Sequence, residues 1–288
     1  MSKVTKAVIP AAGYGTRFLP ATKAVPKEML PIVDSPAIHY IVEECVLSGI
    51  TDICIILGRN KNTIADYFDK NFEVETALLR DKKMSLIKKM NELSERANIC
   101  YVRQREMKGT GPAILLAEAF IGNDPFAVLF GDDVMYSPDN PVTKQLVEAY
   151  ENTGKTIVGV QNVKKEDAPK YGVIVPGATK GRYTEILGMA EKCPIEKLPS
   201  TLASLGRYVL SPSIFDYIKD TAPAPSGEIY LPHAIMKEAN ELGAYAYTFE
   251  GRRYDIGDKQ GYLEATVEYA LRNPELKDDF LSYLKGII

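Results

Sequence analysis

"KAVIPAAGYGTRFLPATKAVPKEMLP", residues 6–31, decides how the chain is read. The apolar run 6–12 has the composition of a buried strand. Gly13 and Gly15 follow at once, and Arg17, Lys23 and Lys27 are then spread among Pro20, Pro26 and Pro31. A glycine turn leaving the carboxyl end of a first parallel strand is where open α/β sheets bind ligands. Without side chains at Gly13 and Gly15, the backbone approaches a ligand closely and aims N–H groups at anionic oxygens. The prolines oppose a long helix and favour a loop braced over the sheet. The string is not a P-loop, and Phe18 stands where a dinucleotide fingerprint needs its third glycine. Arg17 offers a planar fork for phosphate oxygens and Lys27 a compact point charge; a solvated role suits Lys23 at least as well.

Outward from this stretch, residues 52–58, 98–104, 126–133 and 155–163 read as strands. Residues 36–48 carry Ile38, Ile41, Val42, Cys45 and Val46 at helical spacing, with Gly49 as the stop, and 112–120 and 141–152 are helix-like. The alternation predicts an α/β fold, a Rossmann-like, mostly parallel twisted sheet with helices on both faces. After about residue 163 the rhythm changes. "YGVIVPGATKGRYTEIL" (171–187) reads as a hairpin, 204–211 and 244–251 as strands, and 228–242 as a helix. The tail 257–288 is mainly helical, interrupted at Asn273-Pro274. One unit spanning 1–288 is expected, its second half packed onto the first sheet.

The chain has 288 residues, 45% of them hydrophobic, with 35 basic and 38 acidic side chains and a net charge of −3. That balance speaks against a surface devoted to nucleic acid but not against a small phosphorylated ligand. Cys45, Cys54, Cys100 and Cys193 form no C-x-x-C pair and read as buried free thiols rather than zinc ligands or disulfides. No stretch approaches the length of a membrane span, and the N-terminus has no apolar h-region, so a cytoplasmic protein is expected. His39 and His233 both fall in helix-like segments, which leaves little room for histidine catalysis.

The opening string, a glycine loop with Thr-Arg and then Pro-Lys, resembles the signature of sugar-1-phosphate nucleotidyltransferases. More narrowly it is similar to the bacterial UTP–glucose-1-phosphate uridylyltransferase family. The likeness spans nearly the whole chain, because "RQREMKGTGPA" (103–113), "FAVLFGDD" (126–133), "KYGVI" (170–174), "AEKCP" (190–194), "GEIYLPHAI" (227–235) and "GRRYDIGDKQGYLEA" (251–265) occur in the family's order. The resemblance implies Mg²⁺-dependent transfer from UTP to glucose 1-phosphate. It divides the unit into a nucleotide-binding core (1–163), a sugar-binding β region (164–256) and a helical tail (257–288) that could form a dimer or tetramer contact.

The same resemblance assigns roles. Arg17 and Lys27 are the catalytic cations. Ala11, Ala12, Gly13, Gly15, Thr16, Gln104 and Gly109 hold the nucleotide, and Gln104 offers both a donor and an acceptor to a base edge. Gly172, Glu191 and Lys192 take the sugar phosphate, and Asp132 and Asp255 the magnesium ion. Asp133 is expected to be a turn or capping residue. The family's usual second loop, Gly-Leu-Gly-His-Ala, is here Gly109-Thr110-Gly111-Pro112-Ala113; Pro232 and His233 replace Thr-Asp; Ala190 and Cys193 replace Val and Pro. These departures keep open another sugar 1-phosphate, TTP, or a weakly active regulatory paralogue.

Overall fold

The computed structural model of the chain describes residues 3–191 and 193–287. The first half runs β1 (Lys6–Ala11), α1 (Ala37–Leu47), β2 (Asp52–Leu57), α2 (Asn62–Phe68), α3 (Phe72–Arg80), α4 (Met84–Arg96) and β3 (Asn98–Arg103). It continues through α5 (Thr110–Leu115), α6 (Glu118–Ile121), β4 (Phe126–Leu129), β5 (Asp133–Tyr136), α7 (Val142–Thr153) and β6 (Ile157–Asn162). The second half opens with the hairpin of β7 (Gly172–Lys180) and β8 (Tyr183–Glu191), followed by β9 (Leu202–Leu210), α8 (Ile214–Lys219) and α9 (Leu231–Leu242). It closes with β10 (Tyr245–Thr248), β11 (Arg252–Asp255), α10 (Lys259–Arg272) and α11 (Lys277–Ile287).

One nine-stranded sheet, in the order β3-β2-β1-β4-β9-β6-β10-β8-β7, carries both halves. The strands β3, β2, β1 and β4 are mutually parallel. From β9 onward the pairing is antiparallel, apart from β6 with β10. The parallel part therefore coincides with the β-α alternation of the sequence, and the hairpin-rich second half extends it as a mixed sheet.

Both faces are buried. Along β1, Ala7 and Ile9 face one core and Val8 the other; along β2, Ile53 and Ile55 face the first, Cys54 and Ile56 the second. Ile38, Ile41, Val42 and Cys45 of α1 pack on the first core, as their spacing predicts. Ala113 and Ile114 of α5, Phe215 of α8 and Leu231 and Ile235 of α9 cover the second. Two-sided burial explains why the parallel strands read as continuous apolar runs. All four cysteines are free; Cys45 and Cys54 are buried, Cys100 and Cys193 half-buried.

Two expectations need correction, and one stretch without an assignment proves helical. The expected strand 126–133 ends at Leu129, and a turn at Phe130-Gly131-Asp132 leads into the separate strand β5. The expected helix 112–120 is two short ones, and residues 59–97, left unassigned by pattern, contain α2, α3 and α4. Of these, α3 and α4 bury little, with Phe72, Leu79, Met84 and Leu86 exposed, although Leu86, Met90 and Leu93 recur at helical spacing.

Beneath the sheet lies a buried ion pair. Arg207 of β9, 1% exposed, donates from Nε (3.2 and 3.1 Å) and Nη2 (2.7 Å) to the Glu44 carboxylate of α1. Its Nη2 also donates to the Asp133 carbonyl at 2.7 Å, and Thr143 of α7 donates to Glu44 through N (2.9 Å) and Oγ1 (2.6 Å). Breaking such a pair leaves an uncompensated buried charge. Glu44→Ala is expected to lower stability by about 3–5 kcal/mol, read from urea unfolding, and Glu44→Leu/Arg207→Met to lose markedly less. Equal losses would show that the charges are not what this network contributes.

Candidate active site

The site grows from two neighbouring strand ends. Because β1 and β4 are parallel and paired Ala7 to Ala127, their carboxyl ends lie side by side. The first delivers Ala12-Gly13-Tyr14-Gly15, the second Phe130-Gly131-Asp132. The Gly131 N–H donates to the Pro10 carbonyl at 3.3 Å, and a Cβ at Gly131 would lie only 3.1 Å from that oxygen. The loop beyond is wound into three short 3-10 turns, Thr16–Phe18, Ala21–Lys23 and Lys27–Met29. Gly15 sits at φ +66°, and the Thr22 hydroxyl donates to its carbonyl at 2.7 Å, folding the loop back on itself. The result is a direct ion pair between the Lys27 ammonium and the Asp132 carboxylate.

Asp255 reaches the same place by another route. β11 and β5 form an antiparallel ribbon that sets Asp255 opposite Asp133, and the Ile256 N–H donates to the Asp132 carbonyl at 3.0 Å. A Cβ at Gly257 would lie 2.8 Å from Asp132 Oδ2 and 3.1 Å from Asp255 Oδ1, so both carboxylates converge on that glycine. Arg17 Nη1 lies 3.4 Å from the Gly257 carbonyl, which brings the loop arginine to the Asp255 side of the cleft.

Asp133 is not the turn or capping residue expected. Only 6% exposed, it receives Arg253 Nε at 2.6 Å and Nη2 at 2.5 Å, because ribbon pairing turns it towards β11 instead of solvent. Arg253 also donates to the Tyr171 hydroxyl at 2.9 Å and lies 3.4 Å from Asp255 Oδ2. Thus one arginine spans two of the three aspartates.

The charges settle accordingly. Burial alone would lower the Lys27 pKa, but Asp132, Glu28 and Asp133 outweigh it and hold the ammonium above its ordinary value. Desolvation in the cleft works against an ionised Asp132, yet Lys27 and then Arg253 bring its carboxyl below the usual range. Burial pushes Asp133 up to about 6, Arg253 opposing the rise and Asp132 and Asp255 adding to it.

Two cavities meet here. The larger, about 530 Å³, is lined by Arg17, Gly172, Glu191, Arg253, Asp255 and Asp258 among others. The smaller, about 330 Å³, is lined by Ala12, Gly13, Lys27, Gln104, Gly109 and Glu228 among others. Thr110, Phe130, Asp132 and Tyr230 belong to both and form the common wall. Gln104, 9% exposed, thus faces the smaller cavity as a largely dehydrated amide. Gly172 pairs with Glu191 across the hairpin, and a Cβ at Gly172 would come within 2.8 Å of Glu191 Oε2. Ala11 is sealed in the strand, and Gly15 and Thr16 shape the loop without lining either cavity. Lys192 lies outside the described residues.

Pattern reading missed the supports of this site. Glu28, fully buried next to Lys27, takes the Lys61 ammonium at 2.6 Å, while its Oε1 is a buried atom without a hydrogen-bond partner among the described residues. Burial raises the Glu28 pKa and lowers that of Lys61, their mutual attraction opposing both shifts. Thr110 Oγ1 accepts the Leu231 N–H at 2.9 Å and so ties the common wall to α9. The sequence offers little signal for Glu28, which follows a lysine, and its partner lies 33 positions away.

Asp132 and Asp255 offer two hard carboxylate oxygens converging on one point. That donor set suits Mg²⁺, which takes one or two carboxylates and completes its octahedron with phosphate oxygens and water.

Comparison with known proteins agrees with this geometry. The nucleotidyl transferase family model matches residues 6–272. The chain is 50% identical over 287 residues to a UTP–glucose-1-phosphate uridylyltransferase of Staphylococcus epidermidis, covering 100% of this chain and 99% of that one. It is 48% identical to that of Staphylococcus haemolyticus, with the same coverage. A UDP-glucose pyrophosphorylase solved with UDP-glucose superposes with a TM-score of 0.87 at 43% identity, covering 94% of this chain and 100% of its own. A UTP-bound enzyme from Acinetobacter baumannii superposes with a TM-score of 0.92 at 35% identity, covering 99% and 100%. With a full-length match to these enzymes on both sequence and fold, the chain belongs to the UTP–glucose-1-phosphate uridylyltransferase family of nucleotidyl transferases.

Proposed function

We propose that this enzyme makes UDP-glucose from UTP and glucose 1-phosphate with the help of Mg²⁺. The observation that carries the reading is the common wall: Asp132, paired with Lys27, stands between a cavity lined by the Gln104 amide and one lined by the Glu191 carboxylate. Uracil would lie against Gln104 and the backbone of Ala12, Gly13 and Gly109, and the hexose against Glu191 and Gly172, its phosphate falling to Lys192. In that pose the phosphate oxygen of glucose 1-phosphate attacks the α-phosphorus, the bond from that phosphorus to the bridging oxygen breaks, and pyrophosphate leaves. Relatives solved with UDP-glucose and with UTP support the pairing of substrates.

The chain's own contribution is positioning and charge neutralisation, which dominate such transfers. Lys27 is released from Asp132 to meet charge developing on the α-phosphate, and Arg17 holds the outer phosphates. Arg253 keeps Asp133 and Asp255 in place from below. Asp132 and Asp255 would hold the metal ion, which supplies Lewis-acid neutralisation of the phosphates. The cytoplasm suits both substrates, and exposed Leu281, Tyr283 and Ile287 on α11 suit contact with a second copy.

Three measurements check this reading. Pyrophosphate release, with UTP, TTP, ATP and CTP crossed against glucose, galactose and N-acetylglucosamine 1-phosphates, is expected to be fastest for UTP with glucose 1-phosphate. A faster pair elsewhere overturns the substrate, and no release with any pair overturns the reaction. Lys27→Ala is expected to cut turnover about 100- to 1,000-fold while circular dichroism stays unchanged; near-normal turnover removes Lys27 from the mechanism. Asp132→Asn should move the magnesium titration to higher concentration as well as slow the reaction, and an unmoved titration rejects Asp132 as a ligand.

A further inference from the structure

A third cavity, about 500 Å³, lies beyond Ala12, Gln104 and Met107, which it shares with the smaller cavity of the active site. Its other side is formed by the loop segment 22–26 and by the turn between β2 and α2. Four cations line it, Lys23, Arg59, Lys61 and Arg105, and none of its lining residues is acidic. Lys23, Arg59 and Arg105 make no ion pair or hydrogen bond from their side chains among the described residues. In a chain of net charge −3, such a concentration of unpaired positive charge is not background. By contrast, Asp132, Asp133, Glu191, Asp255 and Asp258 line the larger cavity, where carboxylates predominate.

The pocket is built, not incidental. Arg103 donates from Nη1 to the Gly58 carbonyl at 3.0 Å and from Nη2 to the Asn62 side chain, fixing both ends of the turn that carries Arg59 and Lys61. Lys61, 5% exposed, is anchored by Glu28 at 2.6 Å. An ammonium has three donors, and the one bond to Glu28 leaves capacity for an incoming acceptor. Clustered like charges repel one another, and an anion among them relieves that repulsion. A concavity of this size fits a small ligand, and four cations at once suit a compact, multiply charged one better than a single phosphate.

We propose that this cavity is a binding site for an oligophosphate. Through Glu28, the neighbour of Lys27, occupancy steadies the loop that presents the catalytic lysine. The ligand has two sources: the outer phosphates of the nucleotide whose base occupies the smaller cavity, which would then turn to this side of the loop instead of to Arg17, or a separate oligophosphate acting as an effector. The first source rests on the function proposed above; the site itself does not.

The test uses inorganic tripolyphosphate as the probe, titrated calorimetrically into the full chain without magnesium. Wild type is expected to bind it, and Arg59→Glu/Arg105→Glu to bind about tenfold or more weakly, since each charge-assisted bond contributes about that factor. Both residues are exposed, and unchanged UDP-glucose binding serves as the control for folding. If the variant also loses affinity for UTP, the nucleotide's own tail is the ligand. If UTP binds as before, the ligand is a separate anion; either result supports the site. Equal tripolyphosphate affinity in wild type and variant, or none in wild type, overturns it. Because no turnover is read, that failure leaves the proposed reaction standing.

Discussion

An arginine cannot shed its charge, so a guanidinium sealed in a core obliges everything around it to answer. Arg207 is that residue here. Its obligations are met by a helix from the start of the chain, a backbone carbonyl of β5 and, through Glu44, the first turn of α7. Satisfying it therefore fixes where β5 runs relative to the main sheet. Since β5 begins at Asp133 and pairs with β11, the same network sets the positions of Asp132 and Asp255. A buried ion pair adds little net stability over well-packed apolar residues; what the contacts show is that it joins β9, α1 and the start of β5 at one point.

A second buried pair does for the loop what Arg207 does for the ribbon. Lys27 and Glu28 are consecutive, yet one faces the cleft and the other the core, where Lys61 holds it. The prolines limit the loop's freedom, and the glutamate pins it. The Lys27 backbone is therefore held from both sides, so that in the proposed reaction only its side chain would have to leave Asp132.

How much of this could be read beforehand depended on whether the signal was local. The parallel half was legible because fully buried strands are apolar throughout and α1 repeats its apolar residues every third or fourth position. Lys27, Asp132 and Asp255 were named from strings that resemble the family's, and the fold brings the three together around one cleft. The antiparallel continuation was only partly legible, since pattern marks a hairpin but not its place in the sheet. The break at Gly131 was hidden because Phe130 carries on the apolar run. Asp133 was misread because a second aspartate after a strand ordinarily caps a turn; only pairing with Arg253, 120 positions on, reveals its burial. The helix α4 was legible from Leu86, Met90 and Leu93 at helical spacing and was passed over, while α3 leaves most of its apolar residues exposed.

The shared wall of Thr110, Phe130, Asp132 and Tyr230 has a kinetic meaning. Two cavities with a partition in common are not independent compartments, and any molecule seated on the partition intrudes on both. An inhibitor anchored there would compete with either substrate, whereas one confined to a single lobe could be displaced by raising one substrate alone. In the proposed pose the joined product would straddle the wall and leave as one body, so departure from this site would be a single event shared by both lobes.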